Sequence, residues 1–175
     1  WYAISGSGYI CHTINPRLFP EQLIFIINDA QDRVVLFDKT FAPLIAAVKA
    51  HLPHVEHFIC LDAADDAITE KIADVKFYDD LVSKESEQFT WPSFDEQTAS
   101  SLCYTSGTTG NPKGVLYSHR STILHSFAIS LPDSLNLSAN DIMLPVVPMF
   151  HVNAWGTPYA AAMVGCTVAV SYTHL

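Results

Sequence analysis

The sequence predicts an α/β fold in which βαβ units build a mostly parallel sheet. Short, continuous apolar runs at 34–37 and 58–61 are typical of strands in a buried parallel sheet. Between them, residues 41–52 carry apolar side chains at the spacing of one helical face. A strand, a helix and a further strand in this order define a βαβ unit.

The first third of the chain supplies the elements of this pattern in order. Residues 1–8 resemble the end of a helix with a glycine stop, and 9–14, rich in β-formers, predict a strand. Pro20 suits the first position of a second helix, which we expect to run to about Ala30. The next helix carries its apolar face on Phe41, Leu44, Ile45, Val48 and Leu52.

The stretch 62–100 has a different character. It holds 11 of the 18 acidic residues and shows weak periodicity, which predicts surface loops around a short helix near 78–82. The carboxylates are irregularly spaced, and no D-x-D-x-D-G loop is present. We therefore interpret them as solvated surface charge and not as a metal site.

Composition sets the broad class of protein. The chain has 175 residues, enough for about one domain, and is 49% hydrophobic and 15% charged. Its net charge of -9 argues against a nucleic-acid partner, although a locally positive loop can still bind a nucleotide. Because the chain begins with Trp1, we expect a non-native N-terminus.

The four cysteines are widely spaced in apolar sequence, which predicts buried free thiols and a reducing, cytoplasmic location. No apolar run approaches the length of about 18 residues that a membrane span needs.

An eleven-residue segment between two apolar strand segments is the most distinctive motif. It consists of Tyr104, Thr105, Ser106, Gly107, Thr108, Thr109, Gly110, Asn111, Pro112, Lys113 and Gly114. Glycines let the backbone approach a ligand, successive free N–H groups form an anion site, and Lys113 adds a mobile cation. The segment therefore suits a polyphosphate, with a flexible Gly/Ser/Thr turn as the alternative. The lysine is displaced from its position in a Walker A loop.

The remaining third continues the alternation. Ser118 or Ser121 can cap a helix that carries Ile123, Leu124, Phe127, Ala128 and Leu131. An apolar strand at 142–147 leads into the block 148–156, where aromatic residues surround a histidine and enter a helix that extends through 164. Alone, such a block favours core packing. A last strand is predicted at 166–170.

The motif Tyr-Thr-Ser-Gly-Thr-Thr-Gly-x-Pro-Lys-Gly resembles the signature phosphate loop of the AMP-forming adenylating superfamily, which includes acyl-CoA synthetases, firefly-type luciferases and peptide-synthetase adenylation domains. Segments 1–4, 12–22 and 148–156 resemble the bacterial medium- and long-chain fatty acyl-CoA ligase branch. The resemblance covers 1–170, as part of the large N-terminal domain of such enzymes. Residues 171–175 do not continue it, and we interpret them as a non-native tail.

The resemblance implies a ligase that converts a fatty acid to acyl-AMP with ATP and Mg²⁺, then transfers the acyl group to coenzyme A. It places Mg²⁺ near Thr105, the reacting carboxylate near His151, and a gate to the acyl tunnel at Trp155. It gives catalytic roles to Lys113 and His151. It assigns the ATP phosphates to Thr105, Ser106, Gly107, Thr108, Thr109, Gly110, Asn111, Pro112 and Lys113.

Several readings stay open at this point. The family's later elements, including the Tyr-Gly-x-Thr-Glu block and the C-terminal lysine, are not in the sequence, so we expect this chain to be inactive alone. A ligase for a short or sulfur-containing acid shares the same blocks. A peptide-synthetase domain fits them less well, and a non-catalytic nucleotide-binding module is the alternative from another class. A homodimer of the full-length enzyme is compatible with the resemblance.

Overall fold

The computed structural model describes residues 1–105 and 111–170. The chain forms two compact units, one made of Trp1–Asn15 together with the chain from Trp91 onward, and one of Pro16–Thr90. In chain order the elements are α1 (Tyr2–Gly6), β1 (Cys11–His12), α2 (Pro20–Asp29), β2 (Val34–Phe37), α3 (Ala42–Val48), β3 (His57–Cys60), α4 (Asp66–Lys71), β4 (Lys76–Phe77), α5 (Tyr78–Val82), β5 (Ala99–Thr105), β6 (Lys113–Ser118), α6 (His119–Ser130), β7 (Ile142–Met143), α7 (Val152–Trp155), α8 (Thr157–Val164) and β8 (Thr167–Val168).

The unit Pro16–Thr90 is built on a parallel sheet with strand order β2-β3-β4. β2 and β3 pair in register from Val34 opposite His57 to Phe37 opposite Cys60. Helix α3 connects the two strands, which confirms the predicted βαβ unit and the α/β class. β2 buries only one face, however, because Val35 and Phe37 are buried whereas Val34 and Leu36 are exposed.

Helix α3 is flanked by 3-10 turns at Lys39–Phe41 and Lys49–His51. Of its predicted apolar face, Ile45, Val48 and Leu52 are buried, whereas Phe41 and Leu44 are half-buried. In the acidic stretch, α5 confirms the predicted short helix. α4 and β4 were not predicted, because α4 buries only Ile68 and so has no apolar periodicity. α4 is capped by Asp65, whose carboxylate accepts the Ala67 N–H at 2.9 Å.

The other unit contains a three-stranded sheet with order β1-β5-β6 and a two-stranded sheet of β7 and β8. β1 pairs parallel to the centre of β5, with Cys11 opposite Ser101, and β7 pairs parallel to β8. β5 and β6 form an antiparallel hairpin. The sheets are thus mostly parallel, as predicted, with this hairpin as the exception.

Three predicted strands are shorter than expected. The predictions 9–14, 142–147 and 166–170 correspond to two-residue strands, β1, β7 and β8. The apolar side chains beside them are largely exposed, Tyr9 by 70% and Val146 by 80%. β-forming residues extend a strand only where a neighbouring strand packs against them. The residues on either side of β1, β7 and β8 have no paired neighbour in the described strands, so these strands stay short.

Helix α6 begins as predicted at Ser118, whose side chain accepts the Ser121 N–H at 3.1 Å. The apolar side chains that the sequence places along this helix are largely exposed. The buried position is Ser126, whereas Ile123, Leu124 and Phe127 are about half exposed. The buried Ser126 hydroxyl has a hydrogen-bond partner, because it donates to the Thr122 carbonyl at 2.8 Å.

All four cysteines are free and buried, as predicted. No helix among those described has the length and hydropathy of a membrane-spanning segment. Within 1–105 and 111–170, no three His, Cys, Asp or Glu side chains cluster in the way that a metal site requires.

Candidate nucleotide and acyl site

The hairpin β5–β6 holds the two ends of the predicted phosphate loop. Its register pairs Thr105 with Lys113 and Tyr104 with Gly114. Directly paired residues project to the same face of a sheet, so the Thr105 and Lys113 side chains lie on one face. The Thr105 hydroxyl also approaches the Lys113 carbonyl, at 3.5 Å, and both residues are exposed.

Residues 106–110 of the loop lie outside the described part of the chain, so the predicted roles of Ser106, Gly107, Thr108, Thr109 and Gly110 remain predictions. Asn111 is exposed and Pro112 half-buried.

Gly114 shows why the motif ends in glycine. A β-carbon at this position would lie 3.1 Å from Cζ of Tyr104 and 3.3 Å from Cδ1 of Leu102. The absent side chain lets the Tyr104 ring lie across the hairpin. The ring also contacts His12, with centroids 5.2 Å apart, so the strand end before the loop is packed from two sides.

The element α7, in the block 148–156, is a left-handed turn and not a right-handed helix. Val152, Asn153, Ala154 and Trp155 have φ values of 49°, 51°, 50° and 58°, and Gly156 has 69°. The predicted entry into a helix is therefore displaced, and a right-handed helix begins only at α8. Left-handed backbone costs roughly 1–2 kcal/mol for each residue with a β-carbon, so surrounding contacts must hold the turn.

The buried Asn153 side chain anchors the turn to β5. Its Nδ2 donates to Ser101 Oγ at 3.0 Å, and its Oδ1 accepts from Cys103 Sγ at 3.1 Å. The Thr13 hydroxyl approaches the same Oδ1 at 3.4 Å. These four side chains form a small polar network.

Contacts on the other side fix the end of the turn. Nε2 of His125, in α6, lies 3.0 Å from the Trp155 carbonyl, which can only accept, so Nε2 carries the proton in this contact. The His125 ring fills the space beside Gly156, where a β-carbon would come within 2.6 Å of Cδ2. The Thr157 hydroxyl donates to the Ala154 carbonyl at 2.7 Å.

A cavity of about 400 Å³ lies between β6, α6 and this turn. This volume lies within the usual range of ligand pockets, about 300–1,000 Å³. Trp155 lines the cavity and is 59% exposed, which places its ring at the boundary with solvent. The lining residues are Tyr117, Ser121, Thr122, His125, Val152, Asn153, Trp155, Gly156 and Tyr159.

Among the residues that the structure describes, the lining contains no Asp, Glu, Lys or Arg. Burial raises the pKa of both Tyr117 and Tyr159, which keeps their hydroxyls neutral at physiological pH. The Tyr159 ring is held in edge contact with Trp1 and Tyr2, at centroid distances of 5.3 and 5.8 Å. The cavity therefore suits an uncharged, largely apolar group.

The structure brings the predicted site residues into two places. Thr105 and Lys113 lie together on the hairpin, and Trp155 lies at the cavity. His151 is exposed and begins the turn, where its carbonyl accepts the Ala154 N–H at 3.0 Å, but it does not line the cavity.

Sequence analysis missed Asn153 and its partners Ser101 and Cys103. One available clue was a lone amide within an aromatic and apolar block.

Comparison with known proteins assigns the chain to a known class. The chain matches the family of AMP-binding enzymes over residues 1–174, and it belongs to that family.

Among its relatives, the chain is 58% identical over 170 residues to the 3-methylmercaptopropionyl-CoA ligase of Ruegeria lacuscaerulensis, covering 97% of this chain and 32% of that protein. It is 56% identical to the medium-chain-fatty-acid–CoA ligase of Ectopseudomonas oleovorans, with 97% and 31% covered. The chain therefore spans about a third of the length of these relatives.

Solved structures agree in fold. An anthranilate CoA ligase, AuaEII, in complex with anthranoyl-AMP superposes with a TM-score of 0.82 at 22% identity, over 99% of this chain and 32% of that one. At that identity the likeness establishes the fold alone. The N-terminal domain of FACL13 from Mycobacterium tuberculosis gives a TM-score of 0.75 at 28% identity, covering 94% and 38%.

Proposed function

We propose that this chain is part of an ATP-dependent acyl-CoA ligase, which activates a fatty acid as acyl-AMP and passes the acyl group to coenzyme A. The observation that carries the proposal is the hairpin that sets Thr105 and Lys113 on one face at the two ends of the motif Tyr104–Gly114. Two relatives that are named as CoA ligases support the proposal, because they are 58% and 56% identical to this chain over 97% of its length. In this proposal residues 1–170 belong to the N-terminal domain.

Acyl-AMP formation brings a carboxylate, which is an anion, to the α-phosphate of ATP. Catalysis then depends on neutralising charge and aligning the two groups. The exposed ammonium of Lys113 acts as a mobile point charge toward the phosphates. In this proposal His151, which is exposed at the start of the turn, orients the carboxylate, and the cavity takes the acyl group.

Thr105 fits the ion that such a reaction uses. Mg²⁺ prefers oxygen ligands, keeps several waters and is usually bound together with substrate phosphates. Thr105 offers one exposed hydroxyl, and the described residues hold no carboxylate cluster that would bind the ion alone. Thr105 would therefore hold Mg²⁺ jointly with ATP, where the ion supplies positive charge to the phosphates.

The test of this function is Lys113→Ala in the full-length enzyme. The variant should slow acyl-AMP formation more than thioester formation, because only the first step handles the β- and γ-phosphates. Loss of one charge-assisted contact costs about 1.5–3 kcal/mol, which is roughly 10- to 150-fold in rate. Pyrophosphate exchange measures the first step, and Lys84→Ala, another exposed lysine, is the control. Equal losses in both half-reactions would refute the assignment.

Trp155 is proposed as the gate of the acyl site, because its ring lies at the boundary of the cavity. A gating ring is a two-state element that a nucleotide can bias only through differential contacts. Wild type should bind a long-chain acid appreciably only with a non-hydrolysable ATP analogue, whereas Trp155→Ala should bind it in both conditions. Unchanged nucleotide dependence in the variant would make Trp155 a packing residue.

A second candidate is a ligase for a short, sulfur-containing acid. The 58% identity to a 3-methylmercaptopropionyl-CoA ligase favours it. Comparing kcat/KM for 3-methylmercaptopropionate and octanoate separates the two. ATP binding without acyl-AMP formation from any carboxylic acid would instead favour a non-catalytic nucleotide-binding module.

The cellular setting is part of the same proposal. The four buried free thiols suit a reducing, cytoplasmic compartment. A homodimer of the full-length enzyme is tested by sedimentation of that protein.

A further inference from the structure

We propose that Tyr159 determines the longest acid that the enzyme accepts, because its ring closes the inner end of the cavity between β6, α6 and the turn Val152–Gly156. This inference rests on the proposed function and deepens it. It names a residue that limits the acyl chain, and it gives the acid a direction in the cavity, with the hydrocarbon end inward.

The cavity has an outer and an inner end. Ser121, His125 and Trp155 line it and are exposed, so they mark the end at the solvent. Asn153 is buried, and Tyr159 is half-buried with its hydroxyl oxygen shielded from solvent. The lining therefore runs from the solvent at Trp155 to the interior at Tyr159.

The polar groups of the inner lining are already engaged within the protein. The Asn153 amide donates to Ser101 Oγ and accepts from Cys103 Sγ, and the Thr122 hydroxyl donates to the Ser118 carbonyl at 3.0 Å. Among the described residues, this lining offers no cation to a carboxylate. A buried carboxylate without a partner carries a large desolvation cost. The acid therefore enters with its hydrocarbon end first, and its carboxylate stays at the outer end.

The Tyr159 ring is held in place by two further aromatic rings. Trp1 and Tyr2 contact it edge-on, at centroid distances of 5.3 and 5.8 Å and interplanar angles of 68° and 86°. The Tyr2 hydroxyl also donates to the carbonyl of Pro158, the residue before Tyr159, at 2.8 Å. A ring with these contacts has little freedom to swing aside, so it forms a fixed wall for the terminal methyl group of the acid.

A fixed wall selects acids by length. Protein interiors are close-packed, so an acyl chain that is too long either clashes with the ring or leaves part of its length in water. In an apolar pocket, one methylene group changes kcat/KM by roughly 10- to 200-fold. The cavity of about 400 Å³ therefore sets a length limit, beyond which kcat/KM falls steeply.

The experiment measures kcat/KM for acyl-AMP formation by the full-length enzyme with straight-chain acids, from butyrate through octanoate and dodecanoate to palmitate. Tyr159→Leu removes the wall and should raise kcat/KM for the longest acids, relative to butyrate, by at least about 10-fold. Tyr159→Trp introduces a larger ring and should move the length limit toward shorter acids.

Two control variants separate the ring from its hydroxyl and from its position. Tyr159→Phe keeps the ring and should keep the wild-type length limit. Tyr78→Leu removes an exposed tyrosine outside the lining and should keep it too. An unchanged limit in a folded Tyr159→Leu variant would overturn the inference, as would an equal shift in Tyr159→Phe. Should Tyr159→Leu fail to fold, Tyr159→Trp decides.

The remaining outcomes separate the two proposals. A wild-type enzyme that forms acyl-AMP equally well from every acid of the series overturns the role of Tyr159 and leaves the ligase function standing. A wild-type enzyme that forms no acyl-AMP from any carboxylic acid overturns the ligase function and, with it, the role of Tyr159.

Discussion

At the scale of single residues, Gly156 combines two constraints. Its φ is +69°, and a β-carbon would lie 2.6 Å from the His125 ring. Gly156→Ala should destabilise the protein by more than about 1 kcal/mol, because alanine is strained at positive φ. Gly165→Ala is the matched control, since its φ is +78° but its nearest neighbour would be the Ala139 β-carbon at 3.6 Å. Chemical denaturation measures the free energy of unfolding of both variants. Equal losses of stability would show that the His125 contact is unimportant.

The buried thiols give a prediction about pH. Burial raises the pKa of the Cys11 thiol to about 11, above its ordinary value of 9.0. As the pH rises, the thiol ionises first in the unfolded state, and this ionisation favours unfolding. The contribution of Cys11 to stability is therefore complete below about pH 9 and is lost between about pH 9 and 11. Iodoacetamide should therefore label Cys11 slowly near neutral pH and rapidly in denaturant. Equal labelling rates in the two conditions would contradict its burial.

Sequence reasoning recognised the family through residues that are immediate neighbours in the chain, whereas the anion site that it predicts there remains a prediction. The glycines, hydroxyls and lysine of 104–114 stand next to one another in the chain, so composition alone indicated an anion site. Asn153 was missed because its partners, Ser101 and Cys103, are distant in sequence and meet it only in the folded unit. The left-handed backbone of Val152 was also unpredictable, since local preference opposes it.

At the scale of elements, the start of α6 rests on one side chain. Ser118 accepts the Ser121 N–H at 3.1 Å, and its own carbonyl receives two hydroxyls further along the helix. Ser118→Ala should cost about 1 kcal/mol of stability, the usual value for a lost N-cap. Ser118→Asp, which retains an acceptor, should retain most of it. Equal destabilisation by both variants, measured by urea denaturation, would rule out the cap.

Elements were predicted well where their pattern was long and their partners were close in sequence. β2, α3 and β3 form one continuous unit, and all three were found. The strands at β1, β7 and β8 were overestimated, because apolar composition does not report how many residues have a paired neighbour. The exposed apolar face of α6 could not be foreseen either, since helical spacing predicts which residues share a face but not what covers it.

At the scale of the whole molecule, exposed apolar surface governs behaviour in solution. Ile123, Leu124 and Phe127 on α6 are about half exposed, as is Leu116 on β6. Contiguous exposed apolar surface favours association. The 175-residue chain expressed alone should self-associate in light-scattering measurements at micromolar concentration, and Phe127→Lys should reduce this. Thr69→Lys, on exposed polar surface, is the control. A monodisperse, cooperatively melting monomer would contradict the prediction.

The hairpin register also limits insertions and deletions in the loop. Thr105 and Lys113 are paired across the ladder, so the seven residues 106–112 must close the distance between them. Closing a longer loop costs little, about 0.6 kcal/mol for each doubling of length. A ladder slip of one residue is different, because it turns every side chain of the strand to the opposite face. A one-residue insertion or deletion that shifts the β5–β6 register would therefore point Lys113 away from Thr105. One that changes only the length of the loop would keep Lys113 paired with Thr105.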